Sequence, residues 1–261
     1  CALPILENAL RDVVFHLQAH GRAEAAAQEA GLDQRSGILA DGTYGQRALN
    51  AITGKGWWIG RPIELPSSRP LRLEHGNIGS QLIDWPLEHV VKCLVFYHPD
   101  DPAALRAEQD ALLLEVWQAC NKSGHELLLE VILPENGPDK DERHYHTMLE
   151  HFYQLGIKPD WWKLPPLSSA SWQQITALIE REDPWSRGIL ILGLDAPSDK
   201  LRAGFAEAAA HPMIKGFAVG RTIFGQPSRR WMQGELSDEA LIEGVKRNYL
   251  TLIGYWREAR R

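Results

Sequence analysis

Three charged residues interrupt runs of apolar residues that have the composition of buried strands. They are Lys92, Glu130 and Lys163, and each is flanked by large or β-branched apolar residues. A charge in such a strand costs several kcal/mol of folding free energy unless it is paired. One carboxylate for two ammonium groups leaves an excess of positive charge, which together with desolvation lowers the pKa of a lysine. A neutral lysine amine attacks carbonyl groups, so the three residues predict imine chemistry.

Each of the three residues has a simpler explanation when it is considered alone, because a lysine or glutamate at a strand end can reach solvent. Three of them in successive strands are less easily explained in this way. Neighbouring strands lie about 4.8 Å apart, so side chains on one face of a sheet can touch in series. We therefore expect Lys92, Glu130 and Lys163 to contact one another.

The elements that carry these residues are short apolar runs at intervals of roughly thirty residues, and most of them precede a segment with helical periodicity. The runs are Cys1–Ile5, Gly37–Ala40, Trp57–Ile63, Val90–Tyr97, Leu127–Leu133, Trp161–Leu164, Ile189–Leu194 and Ile214–Val219. The clearest helical segments are Asp101–Cys120, Ser198–Ala210 and Asp238–Arg257, and we expect Ser198 to cap the second. Strands that alternate with helices pair in parallel, and eight of them predict one (β/α)8 TIM-barrel domain over residues 1–261. An open doubly wound sheet is the alternative, but no glycine-rich fingerprint follows the first run.

Two loops of this fold are candidates for phosphate binding, since phosphate commonly binds after the seventh and eighth strands of such barrels. Gly193 and Asp195 follow the seventh run and lead into a helix N-terminus, which suits an anion. The eighth run has small residues at alternate positions, ending in Gly220, and Arg221 follows as a bidentate clamp. Close helix packing explains the small residues equally well, but together with Arg221 they favour a phosphate site.

Two further residues are weaker candidates. Asp41 follows the run Gly37–Ala40 as a polar contributor to the site. Trp161 shares a strand face with Lys163 and is either a core residue or a lining residue of the pocket.

The cysteines and histidines indicate neither disulfides nor a metal site. Cys1, Cys93 and Cys120 form no C-x-x-C pair, and Cys93 lies in an apolar run as a small core residue. Reduced cysteines point to the cytoplasm.

Three histidines lie in one charged, helical segment, where we expect them to be solvated. They are His144, His146 and His151. The sequence therefore predicts an enzyme without a metal or cofactor.

Charge and hydropathy limit the partners of the chain. The formal net charge of −6 and the lack of a basic face argue against a nucleic-acid partner. No apolar stretch approaches the length of a membrane span, which argues against a membrane partner. An anionic substrate must therefore be held by local cations or helix N-termini.

Four segments of the sequence resemble one specific family: VVKCLVFYHPDDP, ELLLEVILP, PDWWKLPP and KGFAVGRTIF. They are similar to the aldolase-like domain that follows a ribokinase-type sugar kinase in bacterial 5-dehydro-2-deoxygluconokinase of inositol catabolism. More distantly, they resemble class I tagatose-1,6-bisphosphate aldolase. The resemblance covers nearly the whole chain. The chain begins at Cys1 within an apolar stretch, which indicates a processed chain or a fragment of a longer polypeptide, and the resemblance makes an N-terminal kinase one candidate for the rest of it.

The resemblance also implies roles for particular residues. Lys163 matches the imine-forming lysine of these aldolases, with Lys92 and Glu130 as its charged neighbours. Asp41 matches the aspartate of an L-x-D-x-x-Y-G pattern, and Arg221 with Gly220 matches the phosphate-binding pair.

The chain departs from these relatives in two places. At the end of the first run they carry an aspartate, for which only Glu7 and Asn8 are candidate substitutes here. After the seventh run, Gly193-Leu194-Asp195 stands where the tagatose-type enzymes have a serine, so we expect phosphate contacts from the backbone.

The resemblance implies cleavage of 2-deoxy-5-keto-gluconate 6-phosphate to dihydroxyacetone phosphate and malonate semialdehyde, with Glu130 as the acid–base shuttle. A non-catalytic regulatory or scaffolding barrel attached to the kinase is the alternative. A phosphosugar isomerase on the same fold is a third hypothesis. Such an enzyme usually has a Glu–His pair at its strand ends, and no strand-end histidine here favours it. The expected partners are a small phosphorylated sugar and a fused or associated sugar kinase. The oligomeric state stays open, a homo-oligomer included.

Overall fold

The computed structural model describes residues 37–43 and 45–261. In this part of the chain, seven strands alternate with eight helices. The strands are β1 (Gly37–Leu39), β2 (Trp58–Pro62), β3 (His89–Phe96), β4 (Leu127–Ile132), β5 (Trp161–Leu164), β6 (Gly188–Leu192) and β7 (Ile214–Ala218). The helices are α1 (Gln46–Ile52), α2 (Ile78–Leu82), α3 (Ala103–Ser123), α4 (Arg143–Gln154), α5 (Ser169–Glu182), α6 (Ser198–Ala208), α7 (Arg221–Met232) and α8 (Asp238–Ala259).

This succession of parallel strands and helices is the TIM-barrel class of α/β fold, so the predicted fold class is confirmed. Each predicted strand between residues 37 and 219 is present, with bounds that differ by at most two residues. The predicted first strand, Cys1–Ile5, lies outside the described residues, as do Glu7 and Asn8.

One predicted helix cap is wrong. Helix α6 begins at Ser198 itself, and Leu201 N bonds to Pro197 O at 3.2 Å. Ser198 is therefore the first helical residue and not the cap. By contrast, α8 is preceded by Ser237, whose side chain accepts a hydrogen bond from Ala240 N.

The described chain forms two compact units, which are considered separately. The first unit contains the described residues up to Arg61, together with Gly193–Ala206 and Ala218–Arg261. The second unit contains Pro62–Leu192 and Glu207–Phe217.

In the second unit, β3 to β7 are neighbours in chain order, and β3 to β6 pair in parallel. One face of these strands is covered by large side chains such as Trp162, whose Nε1 donates to the Tyr153 hydroxyl of α4 at 2.9 Å. Trp162 and Phe152 are fully buried there. Cys93 is also fully buried, which confirms that it is a core residue. The charged side chains in the middle of β3, β4 and β5, which are Lys92, Glu130 and Lys163, are buried as well.

In the first unit, β1 and β2 pair in parallel, with Ile38 opposite Ile59. A small core forms where α1 covers them, and Leu49 and Ile59 are buried in it. Helix α8 packs on α6 through an edge-to-face contact of Phe205 and Trp256, whose ring centroids are 5.5 Å apart. None of the described helices is both long enough and apolar enough to span a membrane.

Candidate active site

The register of three strands brings the charged residues of the second unit onto one face of the sheet. Glu130 of β4 lies directly opposite Lys163 of β5. Glu130 also lies opposite Leu94 of β3, and Lys92 is two residues before Leu94. Because side chains alternate between faces along a strand, Lys92, Glu130 and Lys163 share one face.

Both lysines form ion pairs with the same carboxylate. Lys163 Nζ lies 2.9 Å from Glu130 Oε1, and Lys92 Nζ lies 2.9 Å from Glu130 Oε2. All three side chains are more than nine-tenths buried. The exposed fraction is 9% for each lysine side chain and 6% for that of Glu130. The predicted series of contacts is therefore confirmed, with Glu130 between the lysines.

Glu64, which the sequence analysis missed, is the fourth member of this cluster. It follows β2, and its Oε1 accepts a hydrogen bond from Lys92 Nζ. Its other oxygen, Oε2, is buried and has no hydrogen-bond partner among the described residues. Glu64 lies between Ile63 and Leu65, so a charge flanked by apolar residues was its signal in the sequence.

The presence of Glu64 corrects the predicted charge balance. The sequence predicted one carboxylate for two ammonium groups, but the cluster holds two of each. Burial opposes the charged form of Lys92, yet Glu130 and Glu64 outweigh it and raise the pKa of Lys92 above its ordinary value. Lys92 is therefore a fixed cation.

Lys163 differs from Lys92 because it has one carboxylate partner and a cation nearby. Burial lowers the pKa of Lys163, and the charge of Lys92 lowers it further, while Glu130 opposes both. The net shift is downward, as predicted. Burial also opposes ionisation of Glu130, but Lys163 and Lys92 outweigh it and lower the pKa of Glu130 to about 2. The cluster thus contains a lysine with a lowered pKa, Lys163, beside an ionised carboxylate.

Asp41 lies in the first unit, directly after β1. Its Oδ1 accepts a hydrogen bond from Thr43 N at 2.9 Å. Burial lowers the pKa of the nearby Arg61, and the charge of Asp41 partly offsets this shift. Gly42 approaches the same guanidinium so closely that a Cβ would lie 2.5 Å from Arg61 Nη2. Asp41 thus lies near a half-buried guanidinium, and its catalytic role stays a prediction.

The two predicted phosphate loops also lie in the first unit, where they contact each other. A Cβ on Gly193 would lie 2.8 Å from Val219 Cγ1, so the loops approach closely only because residue 193 is glycine. Thr222 Oγ1 donates to Ala196 O at 2.9 Å. Asp195 has a positive φ of 59°, which turns the chain toward α6.

Gly220 and Arg221 form the start of α7. Gly220 is the N-cap and offers no side chain to the first helical N–H groups. Arg221 is exposed and forms no ion pair with any residue in the described part of the chain. The positive end of a helix and an exposed guanidinium are features that bind anions. Phosphate binding at these loops stays a prediction.

Trp161 lies two residues before Lys163 on the same strand face, as predicted. Its Nε1 donates to Glu126 Oε2 at 2.7 Å, and Glu126 pairs with Arg187 at 2.7 Å. Glu126 precedes β4, so this contact holds the indole toward the amino ends of the strands. A lining role for Trp161 stays a prediction.

Two histidines that were expected to be solvated are instead hydrogen-bonded and partly buried. His144 Nε2 lies 2.9 Å from Asp139 Oδ1, and His151 Nε2 lies 2.9 Å from Asp110 Oδ2. The expectation of solvation is therefore wrong for both. The acidic partners sit on neighbouring segments and were not recognisable from the helix alone.

The described residues contain one group whose ligand atoms could meet at a metal ion. His98, Asp100, Asp139 and His144 each place one such atom within 4.8 Å of the others. However, the His98 ring is already bonded on both sides, since Nδ1 accepts from Asp100 N at 3.0 Å and Nε2 donates to Asp139 O at 2.9 Å. A bound cation would have to displace one of these bonds. These side chains form hydrogen bonds that join the end of β3 to the loop after β4.

A search of known families gives one match. The profile of a bacterial family described as "Uncharacterized protein conserved in bacteria (DUF2090)" matches residues 12–260. No curated protein matches the chain at a significant level.

Solved structures share the fold at low sequence identity. A fructose-bisphosphate aldolase from Plasmodium falciparum, in complex with TRAP and a small-molecule inhibitor, is 12% identical, with a TM-score of 0.58 over 90% of this chain and 83% of that chain. An archaeal fructose 1,6-bisphosphate aldolase is 11% identical, with a TM-score of 0.55 over 88% and 82% of the two chains. A Corynebacterium glutamicum protein is 16% identical, with a TM-score of 0.55 over 82% and 70%. These likenesses establish the fold.

Proposed function

We propose that this chain, which belongs to the bacterial family DUF2090, is a Schiff-base aldolase in which Lys163 forms the imine. The observation that carries the proposal is the buried Lys163 amine, with a lowered pKa, 2.9 Å from the Glu130 carboxylate. Imine formation needs a neutral amine and a nearby group that takes and returns a proton. The aldolases among the structural neighbours, which share this fold, add support to the same reading.

Imine formation follows from the two groups. The neutral amine of Lys163 attacks a ketone carbon, and the new C–N bond leaves a proton on nitrogen. Glu130 Oε1, in hydrogen-bond contact with that nitrogen, takes this proton and passes it to the alkoxide oxygen, which gives the carbinolamine. A second proton, taken from solvent, then adds to the carbinolamine hydroxyl. The hydroxyl leaves as water and a protonated imine remains. The positively charged imine accepts the electron pair of an adjacent C–C bond when that bond breaks.

The substrate that we propose is a phosphorylated keto-sugar acid, namely 2-deoxy-5-keto-gluconate 6-phosphate. The resemblance to the inositol-catabolic family supports this choice. Lys163 would attack the C5 ketone, and cleavage between C3 and C4 would yield malonate semialdehyde and dihydroxyacetone phosphate. Arg221 and the start of α7 are the proposed phosphate-binding group. A fused or associated sugar kinase would supply the phosphorylated substrate.

Borohydride trapping tests the proposal directly. We expect reduction in the presence of the keto-sugar phosphate to add the mass of the reduced substrate to the peptide that contains Lys163. Lys163→Met should remove the adduct. A label on a different lysine would contradict the assignment of Lys163. No label with any keto-sugar phosphate would favour a non-catalytic barrel.

A further inference from the structure

We propose that Glu64 is the base that removes the hydroxyl proton of the substrate when the C–C bond breaks. The inference rests on the proposed aldolase function and assigns a residue to a step for which Glu130 is poorly suited. The two carboxylates of the cluster differ in how many of their oxygens have hydrogen-bond partners.

Glu130 is fully engaged by lysines. Each of its oxygens accepts from one ammonium group, Oε1 from Lys163 and Oε2 from Lys92. The same two cations hold its pKa at about 2, which makes it a weak base toward a sugar hydroxyl. Its geometry suits proton exchange with Lys163 Nζ, which lies in direct contact, and therefore suits imine formation.

Glu64 has one carboxylate oxygen that accepts no hydrogen bond from the described residues. Its Oε1 is bound to Lys92 Nζ, while Oε2 is buried without a hydrogen-bond partner among the described residues. A buried carboxylate oxygen without a partner is costly and calls for an explanation. A substrate hydroxyl that donates to Oε2 would supply the partner in the bound state. Lys92, which holds both glutamates, keeps Glu64 on the same face as the imine-forming residue.

The backbone around Glu64 is held on both sides, so its carboxylate is well positioned. Glu64 itself forms an antiparallel bridge with Leu73. Ile63 N bonds to Lys92 O at 3.0 Å, and Leu65 N bonds to Arg72 O at 2.7 Å. A general base needs such fixed placement, because proton transfer falls off steeply with misalignment.

The step is balanced in atoms and electrons. The substrate hydroxyl on the carbon that becomes the aldehyde gives its proton to Glu64 Oε2. The oxygen forms the C=O double bond, the C–C bond breaks, and its electron pair moves into the protonated imine to give an enamine on Lys163. Glu64 is then a neutral carboxylic acid, which loses its proton to water after the aldehyde leaves.

The test separates imine formation from bond cleavage in Glu64→Gln, which keeps the size of the side chain and a group that can bond to Lys92. We expect borohydride trapping on Lys163 to stay within about threefold of wild type, while the cleavage rate falls by roughly a hundredfold or more. Glu64→Asp, which keeps an acid, should trap normally and cleave faster than Glu64→Gln. Glu108→Gln, which alters an exposed glutamate paired with Arg72, is the control and should behave as wild type.

Three outcomes are decisive. If Glu64→Gln cleaves at the wild-type rate, Glu64 is not the base. If trapping and cleavage fall together, with a lower melting temperature, Glu64 only positions Lys92 and the proposal is overturned. If wild-type protein itself forms no adduct with any keto-sugar phosphate, the aldolase function has failed, and that result is distinct from either outcome for Glu64. Should Glu64→Gln not fold, the same comparison of trapping with cleavage in Glu64→Asp decides, since a base moved by one methylene must slow cleavage selectively.

Discussion

Lys163 and Glu130 are directly opposite each other on adjacent parallel strands, and Lys163 Nζ lies 2.9 Å from Glu130 Oε1. This pairing fixes the amine with little freedom, because both side chains project from rigid strands. It also leaves Lys163 with one carboxylate, whereas Lys92 has two. The unequal sharing of carboxylates explains why two buried lysines of the same cluster have pKa values that move in opposite directions.

The charge of Lys92 should set the pH at which Lys163 becomes reactive. Lys92→Met removes the cation that lowers the pKa of Lys163, so that pKa should rise. We expect imine trapping at pH 7 to be slower than in wild type, because a raised pKa leaves a smaller fraction of the amine neutral. The loss should be recovered at higher pH. Lys92→Arg, which keeps the charge, is the control. An unchanged pH midpoint in Lys92→Met would rule out this role.

Removal of Lys92 should also destabilise the protein. Glu64 would lose its ion-pair partner, and Glu130 would keep only Lys163. Breaking a buried pair by removing one member costs about 3–5 kcal/mol, because the remaining charge stays desolvated. Urea unfolding of Lys92→Met should show a loss of this size. Arg72→Met breaks an exposed pair with Glu108 and should cost no more than about 1 kcal/mol.

Acid should destabilise the fold through Glu130. Its pKa is lowered from an ordinary 4.5 to about 2, so its contribution to stability is complete above pH 4.5 and is lost as the pH falls toward 2. The shift corresponds to roughly 3 kcal/mol. We expect the unfolding free energy of Glu130→Gln to depend less on pH in this interval than that of wild type. Equal slopes for the two proteins would show that Glu130 carries no such linkage.

Arg221 should contribute to binding through the phosphate alone. A charge-assisted hydrogen bond is worth about 1.5–3 kcal/mol, so Arg221→Ala should lower kcat/KM by roughly tenfold to a few hundredfold. Arg221→Lys should recover part of the loss, because a lysine cannot bind in a bidentate manner. Arg230→Ala, near the other end of α7 and paired with Glu235, is the control. An equal loss with a substrate that lacks phosphate would make Arg221 structural.

Cleavage should survive dialysis against a strong chelator. The amine chemistry of Lys163 needs no metal, and both ring nitrogens of His98 already bond to the backbone within the cluster that resembles a metal site. Activity measured before and after chelation checks this. Loss of activity that Zn²⁺ restores would place the protein among metal-dependent aldolases instead.

The strands and the main charged series were predictable because their signals are local. Lys92, Glu130 and Lys163 stand out as charges within apolar runs, and the period of two along a strand places them on one face. Glu64 carried a weaker signal, since it follows its strand and is flanked by only one apolar residue on each side. Its contact with Lys92 depends on how the loop after β2 returns to the sheet, which the local sequence does not specify.

The histidines illustrate the limit of reasoning from one helix. His144 and His151 lie on α4, and the charged residues around them in the sequence suggested solvent. Their partners, Asp139 and Asp110, come from a loop and from α3, so their burial depends on packing between elements. The start of α6 was misplaced by one residue for a similar reason, because the hydrogen bond from Leu201 N to Pro197 O that begins the helix is not visible in the local sequence.

The opposition of Glu130 and Lys163 also bears on how the chain selects its own strand alignment. A shift of one residue between β4 and β5 would place Glu130 opposite Trp162 or Leu164 and move Lys163 to the face now filled by Trp162. The ammonium group of Lys163 would then be buried without its carboxylate partner, at a cost of several kcal/mol. The shifted pairing is therefore penalised by electrostatics as well as by packing. The ion pair of Lys163 with Glu130 therefore also helps to specify the register of β4 and β5.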